Sequence, residues 1–201
     1  MEESHGLLIV LSGPSGAGKG TLCSELLRQS PDLVYSVSAT SRAPRPGEIE
    51  GVHYYFRTRE AFQGMLEQGE LLEWAEFCGN YYGTPRFAVE QWLRAGKDVI
   101  LEIEIQGALQ VKKRFPQGVF IFIVPPSLDV LSERIHKRGT EPEEVIQKRL
   151  LTAVRELAYV SEYDYVVIND EVPLAVDKIK SILTAEKCHV KRKPFLFKGG
   201  S

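Results

Sequence analysis

The chain has 201 residues, an apolar fraction of 43% and a formal net charge of −2. That length supports one compact α/β domain with inserted subdomains, and that charge leaves no broad basic surface for nucleic acid or an anionic membrane. The scattered Cys23, Cys78 and Cys188 indicate neither a disulfide framework nor a zinc site, and read as reduced thiols of a cytoplasmic protein.

The N-terminal apolar run is too short for a signal peptide, and no stretch reaches the length of a membrane span. That run, Leu7–Ser12, predicts a strand. Behind it stands Gly13-Pro14-Ser15-Gly16-Ala17-Gly18-Lys19, a phosphate-loop spacing. Glycines allow the positive φ angles with which a backbone wraps an anion in its own amides. The following helix adds its free N-terminal N–H groups, and Lys19 reaches the outer phosphates. Gly20 then takes the place of the usual hydroxyl residue and Thr21 comes one position late, so a Mg²⁺ contact is displaced. The loop alone says nucleotide and leaves the chemistry open.

Four further apolar runs predict buried strands: Leu33–Val37, Asp98–Ile105, Val119–Val124 and Tyr165–Ile168. Helical stretches separate most of them, which predicts a parallel sheet flanked by helices, with ligands at the carboxyl ends of the strands. Residues 38–87 interrupt the alternation. An irregular loop, Thr40–Gly51, leads into strands His53–Phe56, Leu71–Phe77 and Tyr81–Gly83, with a helix over Glu60–Glu67 and a hairpin turn at Gly79-Asn80. This reads as a small α+β insertion. Residues 128–157 are helical and charged, N-capped by Ser127 and broken at Arg138–Pro142, as a hinged lid would be. The expected organisation is core 1–37, insertion 38–87, core 88–127, lid 128–157, and core with a C-terminal helix and tail 158–201. Gly199-Gly200-Ser201 is left out of the fold reasoning.

Several side chains stand out. Period two puts Glu102 and Glu104 on one face of the Asp98–Ile105 strand, either as a solvated edge or as an acid pair near Mg²⁺ or substrate. Arg42 and Arg45, three apart in a proline-stiffened loop, suit a second phosphate or a solvated surface. Tyr54, Tyr81 and Tyr82 offer hydroxyl donors, although half-buried sheet tyrosines explain each one singly. Arg134 and Arg138 share a helix face, with Arg149 further on; taken alone, they read better as an ion-paired surface with Glu133, Glu141, Glu143 and Glu144 than as cations over a migrating phosphoryl group.

Taken in order, these motifs resemble the guanylate kinase family over about residues 5–187. The resemblance rests on Ser12–Lys19, Ser38–Glu48, Glu50–Phe56, Glu73–Thr84, Arg138–Glu141 and Lys148–Leu150. It implies a P-loop nucleoside-monophosphate kinase fold with a GMP-binding insertion and a helical lid. It also implies reversible transfer of the ATP γ-phosphoryl group to GMP, giving ADP and GDP, with dGMP as a further acceptor. By carry-over, the loop Gly13, Pro14, Ser15, Gly16, Ala17, Gly18, Lys19, Gly20 and Thr21 holds ATP, with Asn169 and Asp170 bordering the adenine. Lys19, Arg134, Arg138 and Arg149 meet the migrating phosphoryl group, and Arg42 joins that catalytic set. Ser38, Arg42, Arg45, Tyr54 and Tyr82 hold the GMP phosphate. Glu73 and Thr84 read the guanine, Thr84 by donating to O6, with Glu102 or Glu104 close by.

The physics agrees: guanine's edge offers N1–H and N2–H₂ donors to a carboxylate, whereas adenine would turn a lone pair towards Glu73. Gly20 departs from a family serine and Glu104 from a frequent aspartate. Mg²⁺ is therefore expected to lean on ATP oxygens and water, with Thr21 and Glu104 as the protein oxygens on offer. The expected partners are ATP and GMP alone, apart from further copies of the chain, with no nucleic acid and no membrane. The rival readings are a kinase for another nucleoside monophosphate and a non-catalytic binding module of the same fold; the intact loop and Glu73 with Thr84 speak against them.

Overall fold

The computed structural model describes residues 6–77, 79–138 and 143–192. Five strands form one parallel sheet: β1 (Leu8–Ser12), β2 (Leu33–Tyr35), β7 (Asp98–Glu102), β8 (Val119–Val124) and β9 (Tyr165–Ile168), in the order β2-β7-β1-β8-β9. Leu8 pairs with Val99 and Ile9 with Val119, so β1 sits at the centre and the sheet order reverses beside it. A crevice opens at such a switch point, and the loop after β1 runs into it.

Strands buried on both faces carry apolar residues at every position, and β1 shows why. Ile9 and Leu11 join one core cluster with Leu22, Leu26, Val176 and Ile179, from α1 (Lys19–Gln29) and α7 (Val172–Cys188). Leu8 and Val10 join the other, with Val89 and Leu93 of α3 (Arg86–Arg94) and Ala108 and Val111 of α4 (Ile105–Arg114).

Within residues 38–87 a second, mixed sheet forms from β3 (Ala39–Thr40), β4 (Tyr55–Phe56), β5 (Leu71–Phe77) and β6 (Asn80–Pro85), in the order β4-β3-β6-β5. Its helix α2 (Arg59–Glu67) starts where Thr58 Oγ1 accepts from the Ala61 N–H at 3.1 Å, and it buries Phe62 against Ala39 and Leu71. This sheet is tied to the main one through α4. Gln110 donates to Trp74 O at 3.0 Å and accepts from Trp74 N–H at 3.3 Å, while Arg114 reaches Leu71 O. The helical pair α5 (Leu128–Arg138) and α6 (Glu143–Leu157) closes on Leu131, Ile135, Ile146 and Ala153. Ser127 caps α5 as expected, its Oγ accepting from the Val130 N–H at 3.2 Å.

Several boundaries differ from the sequence reading. The predicted strand Asp98–Ile105 stops at Glu102, because Glu104 is the N-cap of α4 and Ile105 opens that helix. Glu102 and Glu104 therefore do not share a strand face, and a strand-face acid pair is ruled out. Asn80 pairs with Phe77 in the ladder, so it belongs to β6 and not to the hairpin turn, while Gly79 takes φ 74. The runs Leu33–Val37 and His53–Phe56 shrink to Leu33–Tyr35 and Tyr55–Phe56, while Tyr81–Gly83 grows to Asn80–Pro85. Residues 1–5, Cys78, Gly139–Pro142 and 193–201 lie outside the described residues.

The sheet's lower edge is closed by one buried carboxylate. Asp98 Oδ1 accepts from the Leu7 N–H at 2.9 Å, and Oδ2 pairs with Lys187 at 2.7 Å, joining β7, β1 and α7. Asp98→Ala leaves the Leu7 N–H unpaired and is expected to cost about 2 kcal/mol. Urea unfolding should show a lower midpoint with an unchanged slope.

Candidate active site

The loop after β1 is held open by its own backbone. Gly13, Gly16 and Gly18 adopt φ of 145, 88 and 89, all in the left-handed half of the map. A Cβ on Gly13 would lie 2.2 Å from Ile123 O, so β8 comes too close for any side chain there. Lys19 is buried and bends over the loop, donating from Nζ to Gly13 O at 2.6 Å and to Pro14 O at 3.3 Å.

Asn169, just past β9, supports the loop from the side. Its Nδ2 donates to Ala17 O at 2.8 Å, and its backbone N–H donates to Val124 O at 2.8 Å. Gly18 has to be glycine here, since a Cβ would meet Asn169 Nδ2 at 2.3 Å. Arg149 Nη2 donates to Ser15 Oγ in the loop at 2.9 Å, and Arg134 Nη2 donates at 3.0 Å to the carbonyl of Asn169, the residue that braces it. A Cβ on Gly16 would touch Leu131 and Ile135, which puts α5 directly against the loop as well. The side chain of Arg138, together with Thr140 and Glu141, lies outside the described residues.

Arg42 is engaged by its own loop. Its Nη1 and Nη2 fork onto Glu48 at 3.0 and 2.8 Å, and its guanidinium stands 5.5 Å from the Tyr54 ring centre and close to the Tyr82 hydroxyl. Arg42, followed by the Arg45 N–H, pulls the Glu48 carboxyl down to about 2. Tyr54 and Tyr82 meet edge to face at 6.0 Å, while the Arg45 side chain is exposed. Ser38 is half-buried, and its carbonyl accepts from the Tyr55 N–H.

Glu73 on β5 is buried, and the Thr84 hydroxyl on β6 donates to its Oε1 at 2.7 Å. Thr84 thus spends its O–H on Glu73 here. Gly107 at the start of α4 makes room for the carboxylate; a Cβ there would lie 2.8 Å from Oε2. Burial raises the Glu73 carboxyl above its ordinary 4.5, against the opposing hydrogen bonds from Thr84.

Glu102 and Glu104 part company. Glu102 points at α1, where it faces Gly20 and Cys23, and burial followed by Glu102 raises the Cys23 thiol. Gly20, Thr21, Cys23, Tyr35, Glu102 and Arg28 line an open cleft of about 830 Å³ beside the loop. Thr21 is exposed there, and Glu104 is exposed at the end of α4. Among the described residues no three His, Cys, Asp or Glu side chains group as metal ligands, and no helix is long and apolar enough to cross a membrane.

The sequence reading missed Glu48, Gly107 and Glu156 of α6, whose carboxylate faces the Ser15 N–H. The spacing of Glu156, two turns after Arg149, was the one signal that could have marked it.

A five-stranded parallel sheet with this loop, a sheet-bearing insertion and a helical pair on the loop define a P-loop nucleoside-monophosphate kinase fold. The guanylate kinase family model matches residues 5–186, and the chain belongs to that family. It is 80% identical to a guanylate kinase of Desulfitobacterium hafniense (strain Y51) over 199 residues, covering 99% of this chain and 100% of the relative. It is 60% identical to that of Halalkalibacterium halodurans over 192 residues, covering 96% and 94%. The crystal structure of guanylate kinase from Anaplasma phagocytophilum is similar with a TM-score of 0.73 at 37% identity, covering 94% of this chain and 90% of that one.

The raised Glu73 carboxyl has a consequence for stability. A folded-state value above the unfolded one means that ionised Glu73 costs stability once the pH rises through that interval, while the cost vanishes below the unfolded value. Glu73→Gln is therefore expected to raise Tm at neutral pH, and to lose that advantage towards about pH 4 in a calorimetric pH series.

Proposed function

We propose that the chain transfers the γ-phosphoryl group of ATP directly to the phosphate of GMP, giving ADP and GDP. The observation that carries this reading is Glu73, a buried carboxylate oriented by Thr84 and given room by Gly107. A carboxylate accepts from both N1–H and N2–H₂ of guanine, whereas adenine at the same place would leave two acceptors face to face in a buried site. Thr84 acts by fixing Glu73.

The loop amides and Lys19 take the ATP phosphates, and Arg134, Arg138 and Arg149 neutralise the group in flight. Arg42, Arg45, Tyr54, Tyr82 and Ser38 receive the GMP phosphate, which exchanges with Glu48 for the Arg42 fork. The acceptor oxygen is already an anion, so no general base is needed, and catalysis is positioning and charge compensation. The insertion 38–87 and the helical pair 128–157 exclude water from the transfer. The oxygens available here fit a Mg²⁺ that arrives on its nucleotide and keeps several waters. Gly20 offers no oxygen of its own; Glu102 faces it, Thr21 lines the same cleft, and Glu104 stands further out at α4. Thr21, Glu102 and Glu104 would be the side-chain oxygens nearest such an ion, which would supply positive charge to offset that of the phosphates.

A coupled ADP-release assay with GMP, AMP, CMP and UMP tests the reading. Turnover should be confined to GMP and dGMP by a factor of about 100 or more; no turnover with GMP refutes it. Glu73→Gln should raise KM for GMP about tenfold or more while KM for ATP stays put. Arg149→Ala should lower kcat by roughly 10³, by analogy with transfer-site arginines.

A further inference from the structure

The inner face of α6 carries Ile146 and Ala153, both buried. Arg149 and Glu156 are seven residues apart, two helical turns, and so share that face. Arg149 uses it to reach Ser15 Oγ at 2.9 Å. Glu156 turns to the same residue: its carboxylate faces the Ser15 N–H and lies in the field of Lys19, with Glu104 as a like-charged neighbour. Its Oε2 is buried and has no hydrogen-bond partner. Two more polar atoms, Tyr163 Oη and Ser12 Oγ, are buried beside it, facing each other without hydrogen-bond geometry. A carboxylate with an idle buried oxygen thus sits against an anion cradle.

We propose that Glu156 is a built-in competitor for the phosphate loop, its carboxylate standing where a triphosphate oxygen would approach the Ser15 amide. The inference rests on the reading that this loop binds ATP. A triphosphate and a carboxylate both seek the Ser15 N–H and the Lys19 ammonium, and two anions cannot share them at close range. Entry of the nucleotide turns Glu156 out. Because Glu156 and Arg149 ride on one helix face, that displacement also releases Arg149 from Ser15 and hands its guanidinium to the arriving phosphates. Glu156 therefore acts as a positioning residue, delaying the placement of Arg149 until the loop is filled.

Titration calorimetry with the non-hydrolysable analogue adenylyl imidodiphosphate tests this on the full chain. Glu156→Gln keeps the shape and removes the charge, and is expected to bind the analogue about tenfold tighter than the parent protein. In turnover assays KM for ATP should fall while KM for GMP does not move, a split that general loosening of α6 would not produce. Glu156→Asp, whose carboxylate is one methylene short of Ser15, should shift the affinity in the same direction and carries the test if the glutamine variant does not fold. Unchanged or weaker binding by the folded variants overturns the proposal. Failure of the parent protein itself to bind the analogue would instead sink the reading of the loop, and this inference with it.

Discussion

A loop that binds phosphate with backbone amides must hold its N–H groups pointing inward around a space the chain does not fill. Here that shape depends on two donors that tie off the loop's carbonyls. Lys19 ties Gly13 O at 2.6 Å and Asn169 ties Ala17 O at 2.8 Å. With those oxygens engaged on the outside, the amides are left for a ligand. The glycines are the other half of the constraint. Gly13 has Ile123 O where a Cβ would go, and Gly18 has the Asn169 amide.

The same economy of charge runs through the surroundings. The cations that would meet phosphate are already partnered: Arg42 with Glu48, Arg134 with the Asn169 carbonyl, Arg149 with the Ser15 hydroxyl. Each partner can be exchanged for a phosphate oxygen, which offers more charge in the same geometry. On the proposed reading, binding is a set of exchanges in which none of these cations is left bare. Arg134 Nη1 and Asn169 Oδ1 remain buried without partners beside the loop, so this corner holds spare hydrogen-bonding capacity as well.

The parallel sheet and the loop could be read in the sequence because burial on both faces forces continuous apolar runs, and because an amide cradle demands glycine at fixed offsets. The end of β7 could not. Ile103 and Ile105 continue the apolar alternation past Glu102, yet the chain turns into α4 there, since local pattern does not register where a helix must start to pack on β5. Side-chain partners across the fold were equally hidden. That Thr84 bonds Glu73 is visible only once β5 and β6 pair, and that the Asn169 amide bonds the Ala17 carbonyl only once the end of β9 lies beside the loop. Glu156 was lost among the charges of a helical segment, because only the packed face of α6 tells which carboxylate turns towards the loop.

Amide hydrogen exchange on the loop tests the central claim most directly, that Asn169 and Lys19 hold the cradle in shape. The Ala17 N–H, bonded to Pro14 O at 3.1 Å in a fully buried residue, is the reporter. In Asn169→Ala the account predicts exchange at Ala17 faster by about tenfold or more, the loss of roughly one hydrogen bond's worth of local stability. Exchange over α1 from Leu22 to Gln29 should stay as it was. Equal protection of Ala17 in the parent and variant proteins would show that the loop keeps its shape without the side chain beneath it, and would contradict the account.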